Sequence, residues 1–116
     1  MKNITALIDT NILVDYFQNR EPFSKTAEQI FDNAINKKSF QGAVSFHSLS
    51  DLFYILRHNL SVEKRIALIS FLCNNLLVVS EGQASIERAI KLEGFKDFED
   101  SLQAVAAREI QADFIL

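Results

Sequence analysis

Tryptophan is absent from this sequence, cysteine and proline occur once each, and glycine only three times. A lone Cys73 cannot close an internal disulfide, so a reducing cytoplasm is the expected compartment. It lies in the apolar stretch Ile69-Ser70-Phe71-Leu72-Cys73, where a thiol is expected to pack rather than react. Three Gly and one Pro leave little for disordered linkers or a turn-rich all-β fold. No apolar run approaches the roughly 18 residues of a membrane span, and the apolar run after Lys2 is too short for a signal peptide. Basic charge is not in excess either: 12 bases against 15 acids give −3. That balance argues against a general nucleic-acid coat, while leaving room for a basic rim around an acidic cleft. There is no internal repeat and no low-complexity tract. What is present is 116 residues, 48% of them apolar, with ten Phe. A single domain over 1–116 with a sizeable core is expected.

The segments alternate in type. Residues 4–9 form an apolar run, Ile4-Thr5-Ala6-Leu7-Ile8, that ends abruptly in Asp9. Apolar residues on both faces read as a strand buried in a parallel sheet, since a half-exposed strand would alternate. A short helix is expected near 11–17, and an amphipathic one over 23–37 with Ala27, Ile30, Phe31, Ala34 and Ile35 on one face. A second strand follows at 40–45, then a helix with Leu49, Leu52, Phe53, Leu56 and Leu60 in phase. Ser61 suits the N-cap of a helix over 62–74 that turns Ile66, Ile69 and Cys73 inward. Leu76-Leu77-Val78-Val79 is a third strand; residues 83–93 form a helix around Ile86, Ala89 and Ile90, stopped by Gly94. A last helix over 98–111 aligns Leu102, Val105, Ala106 and Ile110, and Phe114-Ile115-Leu116 begins a fourth strand. The expected fold is α/β and three-layered, a central parallel sheet of about four strands flanked by helices. The last strand is shorter than usual and no loop or helix follows it. The expectation is therefore a final unit cut short, with the Leu116 α-carboxylate emerging near Asp9.

Open α/β sheets bind ligands beyond the carboxyl ends of their strands, which is where Asp9 stands. Asp51, in the first turns of the helix after strand 2, belongs to the same edge. So do Asp97 and Asp100, because the helix they open runs antiparallel to the strand it precedes. Such a cluster suits a hard cation; Mg²⁺ and Mn²⁺ prefer oxygen ligands and retain water. Three carboxylates about 5 Å apart repel by roughly 3 kcal/mol per pair at an effective dielectric near 20, so a proton or a cation is expected among them. A bound ion there would activate water and stabilise charge on a phosphodiester oxygen.

Each acid also has an ordinary structural explanation. Ser48-x-x-Asp51 resembles a capping box. Asp97 could cap its helix, with Glu99 and Asp100 favouring the positive end of the dipole. Asp9 could cap the helix at 11–17. Their common placement at one sheet edge is what raises the metal reading above these.

Ile8-Asp9-Thr10-Asn11-Ile12-Leu13-Val14-Asp15 resembles the opening motif of the PIN-domain family of metal-dependent nucleases. Asp100-Ser101-Leu102-Gln103-Ala104-Val105-Ala106-Ala107 is similar to its helical Asp-Ala-Leu motif, and Ala112-Asp113-Phe114-Ile115-Leu116 to the strand before its last acidic loop. The resemblance spans essentially the whole chain. It implies an endoribonuclease dependent on Mg²⁺ or Mn²⁺, most like the toxin of a toxin–antitoxin pair. RNA and an antitoxin protein would be its partners, and a homodimer its assembly. It implies Asp9, Asp51 and Asp100 as catalytic metal ligands, Asp97 as a weaker ligand candidate, and Thr10 and Asn11 as residues shaping the site. It singles out no substrate-binding residue. Two departures stand out: Asp51 occupies a position where the family usually has Glu, and the loop after the last strand is absent. Asp15 matches the motif but is expected on the helix surface or behind the site. His47 and His58 have no role in the family pattern; His47 is expected solvated near the mouth, and His58 to complement a helix C-terminus. Arg57, Lys64 and Arg65 are expected to be solvated.

Other classes use an aspartate after strand 1. A catalytically degenerate PIN-like module would serve only to bind protein or RNA. A receiver domain needs an aspartate at the end of strand 3, where Val78-Val79-Ser80 stands. An aspartate-nucleophile phosphatase needs a second aspartate at position 11, which is Asn.

Overall fold

The computed structural model describes residues 3–95 and 97–116; Met1 and Lys2, at the start of the segment read against a signal peptide, and Lys96 lie outside them. Four parallel strands, β1 (Thr5–Leu7), β2 (Gln41–Ser45), β3 (Leu77–Val79) and β4 (Phe114–Ile115), form one sheet in the order β3-β2-β1-β4. Six α-helices surround it: α1 (Thr10–Phe17), α2 (Ser24–Phe31), α3 (Phe46–Ile55), α4 (Val62–Asn75), α5 (Gln83–Lys91) and α6 (Phe98–Glu109).

Alternation along the strands sorts side chains between the two helical layers. Ile8 and Val44 point into the larger core with Leu13, Val14, Phe31, Leu52, Leu56 and Leu72 from α1–α4 and the turn after α3. Leu7, Ala43 and Val79 point the other way, onto Ala106 of α6. A third cluster, Ala89, Leu102 and Val105, joins α5 to α6. The two internal strands are therefore covered on both sides, which explains why their sequences do not alternate with polar residues. Gly42 in β2 is a point of close approach: a Cβ there would stand 2.7 Å from Leu76 Cδ2 and 3.2 Å from Ala34 Cβ.

The expected elements are all present, with shifts at their ends. The helix read over 23–37 is α2 followed by a wider π turn over Asp32–Asn36, closed by Lys37 N donating to Asp32 O at 2.9 Å. The helix through Leu60 ends sooner, as α3 tightens into a 3₁₀ turn at Leu56–His58. Ser61 caps α4, accepting from Lys64 N.

Several facing assignments need correction. Cys73 is exposed, and Ile66 is 58% exposed; Leu72 is the buried residue of α4, with Leu68 and Ile69 partly covered. The cause is that α4 is apolar on more than one side, so its phase cannot be read from apolar positions alone. On α5, Ala89 is buried with Ser85, but Ile86 and Ile90 face outward. Gly94 does not stop α5; the helix closes at Lys91 with Leu92 already extended, and Gly94 takes φ +88° in the loop beyond. Asp15 is buried rather than on the surface, because Arg20 folds back and pairs with its Oδ1 at 2.6 Å. No described helix is long and apolar enough to cross a membrane.

Candidate metal and catalytic site

The carboxyl edge of the sheet opens into a cavity of about 380 Å³. Asp9, Thr10 and Asn11 reach it from the end of β1 and the start of α1; His47, Asp51, Tyr54 and Ile55 from α3; Asp97, Glu99, Asp100 and Gln103 from the start of α6. All the acids named from the sequence, Asp9, Asp51, Asp97 and Asp100, thus line one cavity, and Glu99 joins them. A larger cavity, about 640 Å³, opens between Ile4, Phe40 and Asn74–Asn75. Its described lining includes Lys38 but no carboxylate, so it lacks the chemistry of the first.

The ordinary explanations separate cleanly. Asp97 does cap α6, its Oδ1 accepting from Glu99 N at 2.8 Å. Asp9 sits at the N-cap position of α1 but makes no side-chain cap bond. Ser48-x-x-Asp51 is not a capping box: Ser45 caps α3 by accepting from Ser48 N at 3.3 Å, which places the helix start three residues earlier. Asp51 is consequently released from any capping duty, and so is Asp9.

Asp9 is fixed from two directions. Its backbone N–H donates to Leu116 O at 3.1 Å, so the fourth strand runs out beside it. Its Oδ1 accepts from Gln103 Nε2 at 2.8 Å. Gln103 Nε2 also approaches Ser48 Oγ at 3.3 Å. Ser48 Oγ in turn lies 2.7 Å from Thr10 Oγ1 and accepts from Ser45 Oγ at 2.9 Å. Ser45 and Ser48 are completely buried. This chain of hydroxyls behind the cavity ties the ends of β1 and β2 to α6, and gives Thr10 its part in shaping the site; Asn11 is exposed at the mouth.

Crowding of like charge is visible at Glu99. Its carboxyl is pushed above the usual 4.5, first by the hydrogen bond it shares with Asp51, then by burial and by the Asp51 charge, with His47 opposing. Glu99 therefore holds a proton more readily than a free carboxyl does. The donors are oxygens of the kind Mg²⁺ and Mn²⁺ take. As placed, no three His, Cys, Asp or Glu side chains among the described residues converge on one ion position. The donor chemistry suits a divalent ion.

Sequence reasoning did not find the partner of His47. Glu81, two residues beyond β3, takes His47 Nδ1 at 2.8 Å and His47 N at 2.7 Å, leaving the ring largely buried rather than solvated. The available signal was a carboxylate just past the third strand, at the same edge as the others. Gln103 was visible only as part of a motif; the sign of its role is a polar residue three positions after Asp100 in a run otherwise apolar and inward. Arg57 and Arg65 are not simply solvated, since their guanidinium groups stack on Tyr54 at 3.7 Å and Phe53 at 4.2 Å.

Comparison with known proteins agrees with this architecture. Residues 5–116 match the family model of the PIN domain. The chain is 29% identical to ribonuclease VapC1 of Aquifex aeolicus over 120 residues, spanning all of this chain and 82% of that protein. Its fold is similar to that of VapC20 of Mycobacterium tuberculosis, a sarcin-ricin loop cleaving toxin, with TM-score 0.74 and 14% identity over 95% of this chain and 86% of that one. It is also similar to a chain of a toxin–antitoxin complex from Klebsiella pneumoniae (TM-score 0.69, 20% identity, 96% and 84% covered). A third is in VapBC2 of Rickettsia felis bound to promoter DNA (0.66, 15%, 97% and 86%). With a family model covering nearly its whole length and a parallel sheet at whose carboxyl edge Asp9 and Asp100 line one cavity, the chain belongs to the PIN-domain family.

Proposed function

We propose that this chain, one domain over 1–116, is a cytoplasmic endoribonuclease dependent on Mg²⁺ or Mn²⁺ that hydrolyses RNA phosphodiester bonds as the toxin of a toxin–antitoxin pair. The observation that carries this reading is that Asp9, Asp51 and Asp100, from the end of β1, α3 and α6, line one cavity. The ribonuclease and toxin names of the relatives support the same activity and an antitoxin partner. A homodimer belongs to the proposal too, supported by the exposed apolar residues Val62, Ile66 and Phe71 on α4.

Asp9, Asp51 and Asp100 would hold the ion, with Asp97 engaged mainly in its cap. When bound, the ion supplies a lowered water pKa and charge stabilisation at a phosphoryl oxygen. The chain's own residues prepare for it. Gln103 orients Asp9, and Glu99 adds a further carboxylate to the cavity wall. Tyr54, 63% exposed at the cavity wall with Arg57 over its ring, offers a stacking face and a cation to single-stranded RNA.

RNA cleavage by the purified chain tests this. Activity should require Mg²⁺ or Mn²⁺, and Asp9→Asn should lower the rate by about a hundredfold or more. No cleavage with either ion, with Asp9→Asn indistinguishable from the parent, would refute it. The second reading, a degenerate module that only docks protein or RNA, draws on the non-converging carboxylates and on Asp51 in place of Glu. Titration calorimetry without heat at millimolar Mn²⁺ would favour that module.

A further inference from the structure

Gln103 is buried, 5% exposed, and makes only half the bonds its amide can make. Its nitrogen donates to Asp9 Oδ1 at 2.8 Å and approaches Ser48 Oγ at 3.3 Å. Its Oε1 is fully buried and has no partner among the described residues. A buried acceptor left unmade is destabilising. The neighbours Leu102, Ala104, Val105 and Ala106 are apolar and buried, so packing alone does not explain an amide at this place. What the amide does is take one lone pair of Asp9 Oδ1 and fix the orientation of that carboxylate. No described residue bonds Asp9 Oδ2.

We propose that Gln103 is a positioning residue that makes Asp9 a one-oxygen ligand and so selects small octahedral cations, Mg²⁺ and Mn²⁺, against Ca²⁺. The inference rests on the metal-dependent reading above. Ca²⁺ takes six to eight oxygens and accepts both oxygens of a carboxylate, whereas Mg²⁺ demands near-ideal octahedral geometry. A carboxylate with one oxygen held by an amide suits the second demand and penalises the first. The amide is itself held, because Ser48 is anchored by Ser45 and Thr10. Partners of this kind around a metal ligand typically alter affinity by about 10- to 100-fold when removed.

The test is titration calorimetry of Mn²⁺ and Ca²⁺ against the full chain, Asp9→Asn, Gln103→Leu and Gln103→Met. Thermal melts confirm that each is folded; Met, unbranched and flexible, guards against a packing fault specific to Leu. In the parent chain Mn²⁺ should bind more tightly than Ca²⁺, and Asp9→Asn should weaken both. Gln103→Leu and Gln103→Met should reduce the Mn²⁺ preference by about tenfold or more in chains that still melt cooperatively. If Asp9→Asn weakens binding but both Gln103 variants keep the parent's preference, the positioning role is overturned and the metal reading stands. If the parent binds neither ion, both fall together.

Discussion

Replacing Ser48 with Ala removes the hub of the hydroxyl chain, and the structure says what each partner loses. Thr10 is only half-buried, so its hydroxyl finds water. Gln103 keeps its bond to Asp9. Ser45 is the one that suffers: it is wholly buried and loses the acceptor for its O–H, retaining only its cap duty and a 3.5 Å approach to His47 Nε2. One orphaned buried donor costs about 1–3 kcal/mol, offset by roughly 0.5 kcal/mol from the better helix propensity of Ala. For a domain of this size that amounts to a fall of about 2–10 °C in Tm. Calorimetric or circular-dichroism melts of Ser48→Ala measure it. The double variant Ser45→Ala/Ser48→Ala should cost less than the sum of the singles by at least about 0.5 kcal/mol, because the donor that Ser48→Ala strands is removed as well. A Ser48→Ala chain melting within about 1 °C of the parent, or strict additivity in the double variant, would refute the network as a structural element.

Two further outcomes follow from packing and charge. Gly42→Ala places a Cβ against Leu76 Cδ2 at 2.7 Å and should cost about 1–3 kcal/mol by overpacking. Adding Leu76→Val, which deletes that methyl, should make the pair cost less than the sum in denaturant melts; strict additivity would sink the steric account. Glu99 has a folded-state pKa raised above 4.5, chiefly through Asp51, so the folded chain holds a proton the unfolded chain has lost. Its contribution to ion-free stability is complete below 4.5 and is lost as pH rises through the raised value. Asp51→Asn should flatten that fall in melts taken across the acid range, and an unchanged slope would contradict Asp51 as the cause of the raised pKa.

The sheet, the order of elements and the cavity were legible because each rests on a strong local signal. A strand apolar on both faces that stops at Asp9, an N-capping Ser61, and apolar phases at Leu49-Leu52-Leu56 and Leu102-Val105-Ala106 all have one reading. Orientation failed where a helix is apolar on several sides: Ile66 and Cys73 on α4 compete with Leu68 and Leu72, and nothing local decides between them. The surface alternative for Asp15 failed because its partner Arg20 lies beyond the helix end. The carboxylates of the site could be named, but their support could not. Gln103 meets Asp9 across 94 positions and Glu81 meets His47 across 34, and a short-range pattern does not encode such pairs. Ser45 and Ser48 illustrate a finer limit, since both suit a cap and only the tertiary position of the β2 end decides.

The two amides at the end of β1 answer to different neighbours. Ile8 N–H is held by Ala43 O of the central strand β2 at 2.8 Å, while Asp9 N–H is held by Leu116 O, past the end of β4. Phe114 and Ile115 of that edge strand are at least half exposed, so β4 belongs to the part of the molecule that opens with little free energy. Deuterium is therefore expected to enter at Asp9 with fraying of the edge and at Ile8 only with opening of the interior, so that the backbone beneath the foremost carboxylate keeps time with the periphery of the sheet rather than with its centre.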